Sequence, residues 1–156
     1  MVYNQLFIIM NKILGNSIHP IQLSLGLLLI RLTIGILIAF YGYEKLIHFQ
    51  EMAASDFWAK NISFLGFTGK VPLALTIFAE FFCSLFLILG LFTRLALIPL
   101  LICMGYIIAV VVNFSIVGSG DNGFEMNTAF VYFIIYLALF LTGPGKYSLD
   151  YQITKK

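Results

Sequence analysis

Four apolar stretches, set apart by polar turns, organise the chain. The first opens at Pro20, a residue suited to a first helical position, and runs over about residues 20–43 with Arg31 inside it. The second covers about residues 72–91 and contains Glu80, the third about 95–114, and the fourth about 126–141. Each approaches the ~20 residues that a helix needs to cross the hydrocarbon layer of a bilayer. Only Phe92, Thr93 and Arg94 separate the second stretch from the third, so these two predict an antiparallel hairpin. The Gly-rich run 118–123 predicts a flexible turn, and Gly143, Pro144 and Gly145 end the fourth stretch. There is no internal repeat and no pair of interrupted helices of the kind many transporters use. The expected fold is all-α, an integral membrane four-helix bundle over residues 20–150. A short N-terminal interfacial segment (1–19) precedes it and a short tail (151–156) follows. Within 1–19 the apolar run 6–10 is short, Lys12 follows it, and no small-residue cleavage site appears. It therefore reads as an amphipathic stretch on the membrane surface rather than a secretory signal.

Composition makes the membrane assignment firm. The chain is 61% hydrophobic and 10% charged, with a mean hydropathy of +1.00. Soluble domains carry about 25% charged residues, and a chain this short cannot hide so much apolar surface in an interior. The net charge of +2 excludes a clustered basic face for nucleic acid. The distribution of Lys and Arg sets an expected orientation. Lys12, Arg94, Lys146, Lys155 and Lys156 flank one side, against Lys45, Lys60 and Lys70 on the other. The richer side holds both termini, which predicts both ends in the cytoplasm. The segment 46–70, with Trp58 and several Phe, then lies at the outer surface as an interfacial helix.

Charges within the bilayer cost ~2.5–3.5 kcal/mol each on insertion scales, so each needs a partner or a task. Gly35, Ala39, Gly42 and Lys45 share a helical stripe with Arg31. Small residues on a stripe let another helix approach, so this face is expected to turn inward, with Glu44 outward. Thr76, Glu80 and Ser84 share a side of the second stretch, and Glu125, Ala129, Tyr132 and Tyr136 a side of the fourth. Counting depth at ~1.5 Å per residue puts Arg31 and Glu80 within about 5 Å of one level. The expectation is therefore two ion pairs: Arg31–Glu80 in the interior and Lys45–Glu125 near the outer mouth. The first pair also has a purely structural reading, as a device fixing helix register. Arg31, Lys45, Glu80, Glu125 and Tyr132 form the candidate ligand-binding set.

Cys83 and Cys103 fall at similar depth on adjacent helices, which leaves a disulfide open. Without a Cys-x-x-Cys they also read as small buried hydrophobes. His19 and His48 lie at opposite surfaces, and no cluster has metal-ligand spacing, so no metal site is expected. Phosphate-binding loops, dinucleotide fingerprints and nucleophile elbows are missing from the sequence.

Arg31-Leu32-Thr33-Ile34-Gly35, Tyr41-Gly42-Tyr43-Glu44-Lys45-Leu46, Glu80, Leu89-Gly90-Leu91-Phe92-Thr93-Arg94 and the closing Gly143-Pro144-Gly145-Lys146-Tyr147-Ser148-Leu149-Asp150 occur in order over about residues 24–150. Together they resemble the DoxX family of small four-helix membrane proteins. Two positions depart from the family pattern: Tyr41 stands where His is common, and Lys146 where Arg is common. The resemblance implies the fold, a bacterial inner-membrane location, and an association with membrane redox systems such as thiosulfate:quinone oxidoreductase. From it follows the leading expectation, a subunit of a redox system that binds a quinone or similar lipid-soluble ligand. Arg31, Lys45 and Tyr132 would donate to the ligand, and Glu80 or Glu125 would exchange protons. The chain carries no electron-carrier motif of its own, so such activity needs a redox partner. The alternative is a non-enzymatic accessory or assembly factor for another membrane protein. A transporter, by way of a homo-oligomer, ranks below both.

Overall fold

A computed structural model of the chain describes residues 20–120 and 123–155; the expected interfacial segment 1–19 lies outside them. Continuous apolar sequence, with no water to compete for backbone hydrogen bonds, gives helix wherever it is long enough to span a bilayer. Three helices meet that length: a first from Pro20–Ile47, a second over Lys70–Leu89 and a third over Thr93–Val111. The fourth apolar helix, Thr128–Thr142, has 15 residues and is shorter than a full span. Asn127 caps its start by accepting from the Ala129 N–H, and Gly143 ends it at φ 81°. First packs on second, second on third and third on fourth, and the fourth also touches the first. The shared core holds Ile34, Ile38, Leu87, Leu97, Leu100, Met104 and Tyr136, all buried.

Outward faces carry Leu23, Leu29, Phe40, Ile98, Ile134 and Leu141, all well exposed. In a bilayer these meet lipid, so the bundle is apolar on both its inner and outer surfaces. The segment between first and second helices folds into a cover. It contains a short helix, Phe49–Ala54, a π-helical turn, Phe57–Asn61, and a small hairpin pairing Ser63 with Thr68 and Phe64 with Phe67. Ala53, Leu73 and Ile77 form a second apolar cluster beneath it, with Phe49, Met52 and Trp58 packed alongside. The expected interfacial helix is thus two short helical pieces and a hairpin. Another hairpin, Val117–Gly120 with Gly123–Met126, occupies the Gly-rich stretch expected as a flexible turn.

The second and third helices turn within three residues. Gly90 takes the left-handed conformation at φ 67°, which only glycine adopts without strain, and its N–H bonds Leu87 O. The C-terminal segment locks onto this turn. Asp150 accepts from the Phe92 N–H at 2.7 Å and the Thr93 N–H at 2.8 Å, capping the third helix. Ser148 starts a last short helix, Leu149–Thr154, which runs across the expected boundary at 150/151.

Candidate ligand-binding cavity

Two glycines decide how the first helix meets the second. A Cβ on Gly42 would lie 2.5 Å from Phe81 N and 2.7 Å from the Glu80 carbonyl carbon, and one on Gly35 2.6 Å from Ile88 Cγ1. The first helix therefore rides directly on the second helix's backbone at Glu80 and Phe81. There the second helix is π-helical, over Phe78–Cys83, a widened turn that often marks functional positions. The contact brings Lys45, one turn beyond Gly42, to Glu80. Lys45 Nζ donates to Glu80 Oε2 at 2.5 Å. Glu80's side chain is 4% exposed and that of Lys45 is 20% exposed. A charge-assisted bond of this kind is the condition under which a carboxylate tolerates such burial. The Lys45 ammonium also lies 5.9 Å from the centre of the Tyr41 ring.

Lys45 and Glu80 border a cavity of about 410 Å³ between the second and third helices. The rest of its wall is almost wholly apolar. Pro72, Leu75, Phe78 and Ala79 come from the second helix, and Pro99, Ile102, Ile107 and Val111 from the third. Phe57, Trp58, Ile62 and Phe64 come from the cover. Thr76, Cys103 and Tyr106 add the remaining polar groups. Tyr106 Oη donates to Ser63 O at 2.6 Å and stacks edge-on with Phe64 at 5.6 Å, pinning the cover to the third helix. Each of the three π-helical turns, Phe57–Asn61, Phe78–Cys83 and Ile107–Val111, contributes to this wall.

Arg31 has a different place. It is fully buried, but its guanidinium donates to Pro144 O at 2.6 Å and to Tyr147 O at 3.0 Å, and Glu80 is not its partner. The expected Arg31–Glu80 pair is therefore corrected to Lys45–Glu80. The depth count failed because the first helix has 28 residues against 20 in the second, so its start lies well beyond the hairpin turn. Arg31 consequently sits level with Gly90: a Cβ there would come within 2.6 Å of Arg31 Nη1. The expected Lys45–Glu125 pair falls outside the described side chains, and the partner the structure gives Lys45 is Glu80. Glu125 belongs to the second hairpin, opposite Gly118, and its side chain lies outside the described ones. Tyr132 stacks on Tyr136 at 6.5 Å and is not part of the cavity wall.

Of the candidate set, then, the structure brings together Lys45 and Glu80. Glu44 is exposed, and exposed His48 hydrogen-bonds Glu44 O through Nδ1. Both cysteines are free thiols: Cys83 lies in the helical core and Cys103 in the cavity wall. Among the described residues no cluster of His, Cys, Asp and Glu could hold a metal ion. Tyr106 and Pro99 were not singled out by sequence. Thr76 and Cys103 carried a signal, a shared stripe with Glu80 and a matched depth across the hairpin.

These features define a small multi-pass helical membrane protein with the Lys45–Glu80 ion pair at the edge of an apolar cavity. The DoxX family model matches residues 26–113, more than half of the chain. The chain belongs to the DoxX family. No curated protein and no solved structure matches it.

Proposed function

We propose that this protein is the membrane subunit of a redox system and that it binds a quinone, or a similar lipid-soluble molecule, in the cavity beside Lys45 and Glu80. The observation that carries this reading is a cavity of about 410 Å³ with apolar and aromatic walls and one charged pair. Ligand sites are mostly apolar, with a few polar groups that set orientation. A quinone fits that description: its ring packs against Phe57, Trp58 and Phe64, and a carbonyl oxygen accepts from Lys45. On reduction by two electrons the ring oxygens take up two protons, and the Lys45 ammonium hands over one. The Glu80 carboxylate, hydrogen-bonded to Lys45, accepts protons from water and relays the second to the ring and the replacement to Lys45. Electrons come from a partner, since the chain has no carrier motif. With both ends in the cytoplasm, as the Lys and Arg asymmetry favours, the cavity and its cover lie toward the outer face.

Trp58 is the sole tryptophan and lines the cavity, so its fluorescence reports on occupancy. A quinone titrated into vesicles holding the protein should quench Trp58 saturably. In Lys45→Met/Glu80→Leu the quenching should become linear, as for unspecific partitioning. Equal saturation in both proteins would reject the site, and linear quenching in both would favour the accessory-factor reading.

A further inference from the structure

The cavity wall is unevenly sheltered. Toward the helix ends the cover closes it: Ile62 is 5% exposed, and Trp58 and Phe64 are half-buried. The Tyr106–Ser63 hydrogen bond and the Gly69 N–H donating to Trp58 O at 2.8 Å hold that cover in place. Leu75, Phe78 and Ile102 line the same space yet are 47%, 50% and 54% exposed. The open side is therefore bounded by the second and third helices. Phe78 is about 12 Å along its helix from Lys70, and Ile102 about 13 Å from either end of its own, at ~1.5 Å per residue. With helices of this length across a ~30 Å hydrocarbon layer, the mouth falls inside that layer and not at its surface.

We propose that the cavity opens sideways into the bilayer between the second and third helices. Its occupant is a molecule with one compact polar headgroup and a hydrocarbon tail. This rests on the cavity being a ligand site and specifies what that site admits and by which route. The headgroup meets Lys45 and Glu80, the charged groups of the wall. The tail leaves past Leu75, Phe78 and Ile102 into the acyl chains, where it gives up no apolar contact on binding. A tail-less polar molecule would have to leave water, cross lipid and then gain only the headgroup contacts. Such molecules are excluded by the same geometry that favours a lipid.

Cys103, in the wall, tests the route directly. In a Cys83→Ala protein reconstituted in vesicles, with reagent on both sides, a lipid-soluble phenylmaleimide should label Cys103 and a sulfonated maleimide should not. A mouth reporter, Ile102→Cys with Cys83→Ala and Cys103→Ser, should show the same pattern. Labelling of Cys103 by the sulfonated reagent would overturn the lateral opening. So would a labelled mouth reporter with a Cys103 that reacts only after unfolding in dodecyl sulfate, because the passage would then be shut. A quinone with a decyl tail should protect Cys103, and the same ring without a tail should not; equal protection would overturn the tail requirement. If the labelling pattern holds and neither quinone protects, the lateral opening stands and the quinone reading falls.

Discussion

Lys45 and Glu80 meet at 2.5 Å because Gly42, one turn before Lys45, lets the first helix rest on the backbone at Glu80 and Phe81. The ion pair and the glycine contact are thus one structural unit, and each can be disturbed separately.

Replacing Gly42 by Ala puts a methyl group against backbone atoms at 2.5–2.9 Å, which cannot rotate away. The helices must separate, at a cost of ~1–3 kcal/mol typical of overpacking. Gly105→Ala meets only Phe133 Cε2 at 3.6 Å, and Gly26→Ala meets nothing within 4 Å. Thermal unfolding in detergent should therefore rank Gly42→Ala well below the other two, with Gly26→Ala at or above the parent. Equal midpoints for Gly42→Ala and Gly26→Ala would contradict the close approach.

Removing one partner of the pair leaves the other's charge buried. Lys45→Met should destabilise by ~3–5 kcal/mol, the usual cost of an orphaned buried charge. The double variant Lys45→Met/Glu80→Leu should recover most of that loss, since apolar replacement of a buried pair is often near neutral. A denaturation series in mixed micelles reads the difference. Additive losses in the double variant would show that the two side chains do not act together.

Asp150 caps the third helix across 57 residues of sequence, and Arg31 ties the first helix to the carbonyls of Pro144 and Tyr147. Asp150→Ala should cost about 1–2 kcal/mol, in line with a lost cap. Arg31→Lys should cost as much or more, because one ammonium cannot reproduce the two-pronged geometry of the guanidinium. Limited proteolysis at the C-terminal end should speed up in both. A variant as resistant as the parent would argue against this clasp.

Tyr106→Phe deletes the hydrogen bond to Ser63 O while keeping the ring against Phe64. The expected loss is about 1 kcal/mol, confined to the cover. Trp58 should become more accessible to acrylamide with little change in the unfolding midpoint of the bundle. Unchanged accessibility would mean that packing alone holds the cover.

The helices were legible in the sequence because runs of apolar residues near 20 long permit little else in a chain of this composition. The inward stripe of Arg31, Gly35, Gly42 and Lys45 was legible as well, since helical spacing fixes it. Partner choice was not. It depended on where the first helix starts relative to the hairpin turn, and eight extra residues in that helix carried Arg31 away from Glu80. The cavity was hidden for another reason. Its wall combines three π-helical turns, which no residue pattern announced, with a cover folded from residues 49–68. Lys45 and Glu80 stood out as charges in apolar sequence, whereas Tyr106 and Pro99 resembled ordinary helix positions.

The most direct test of the cavity as a ligand site is mass spectrometry of small molecules extracted from the protein purified in native lipid discs. Lys45→Met/Glu80→Leu is purified alongside it, with empty discs as the background. The account predicts a quinone or comparable tailed lipid enriched near one per protein in the parent and at background in the double variant. No enrichment in the parent, or equal enrichment in both proteins, would contradict it.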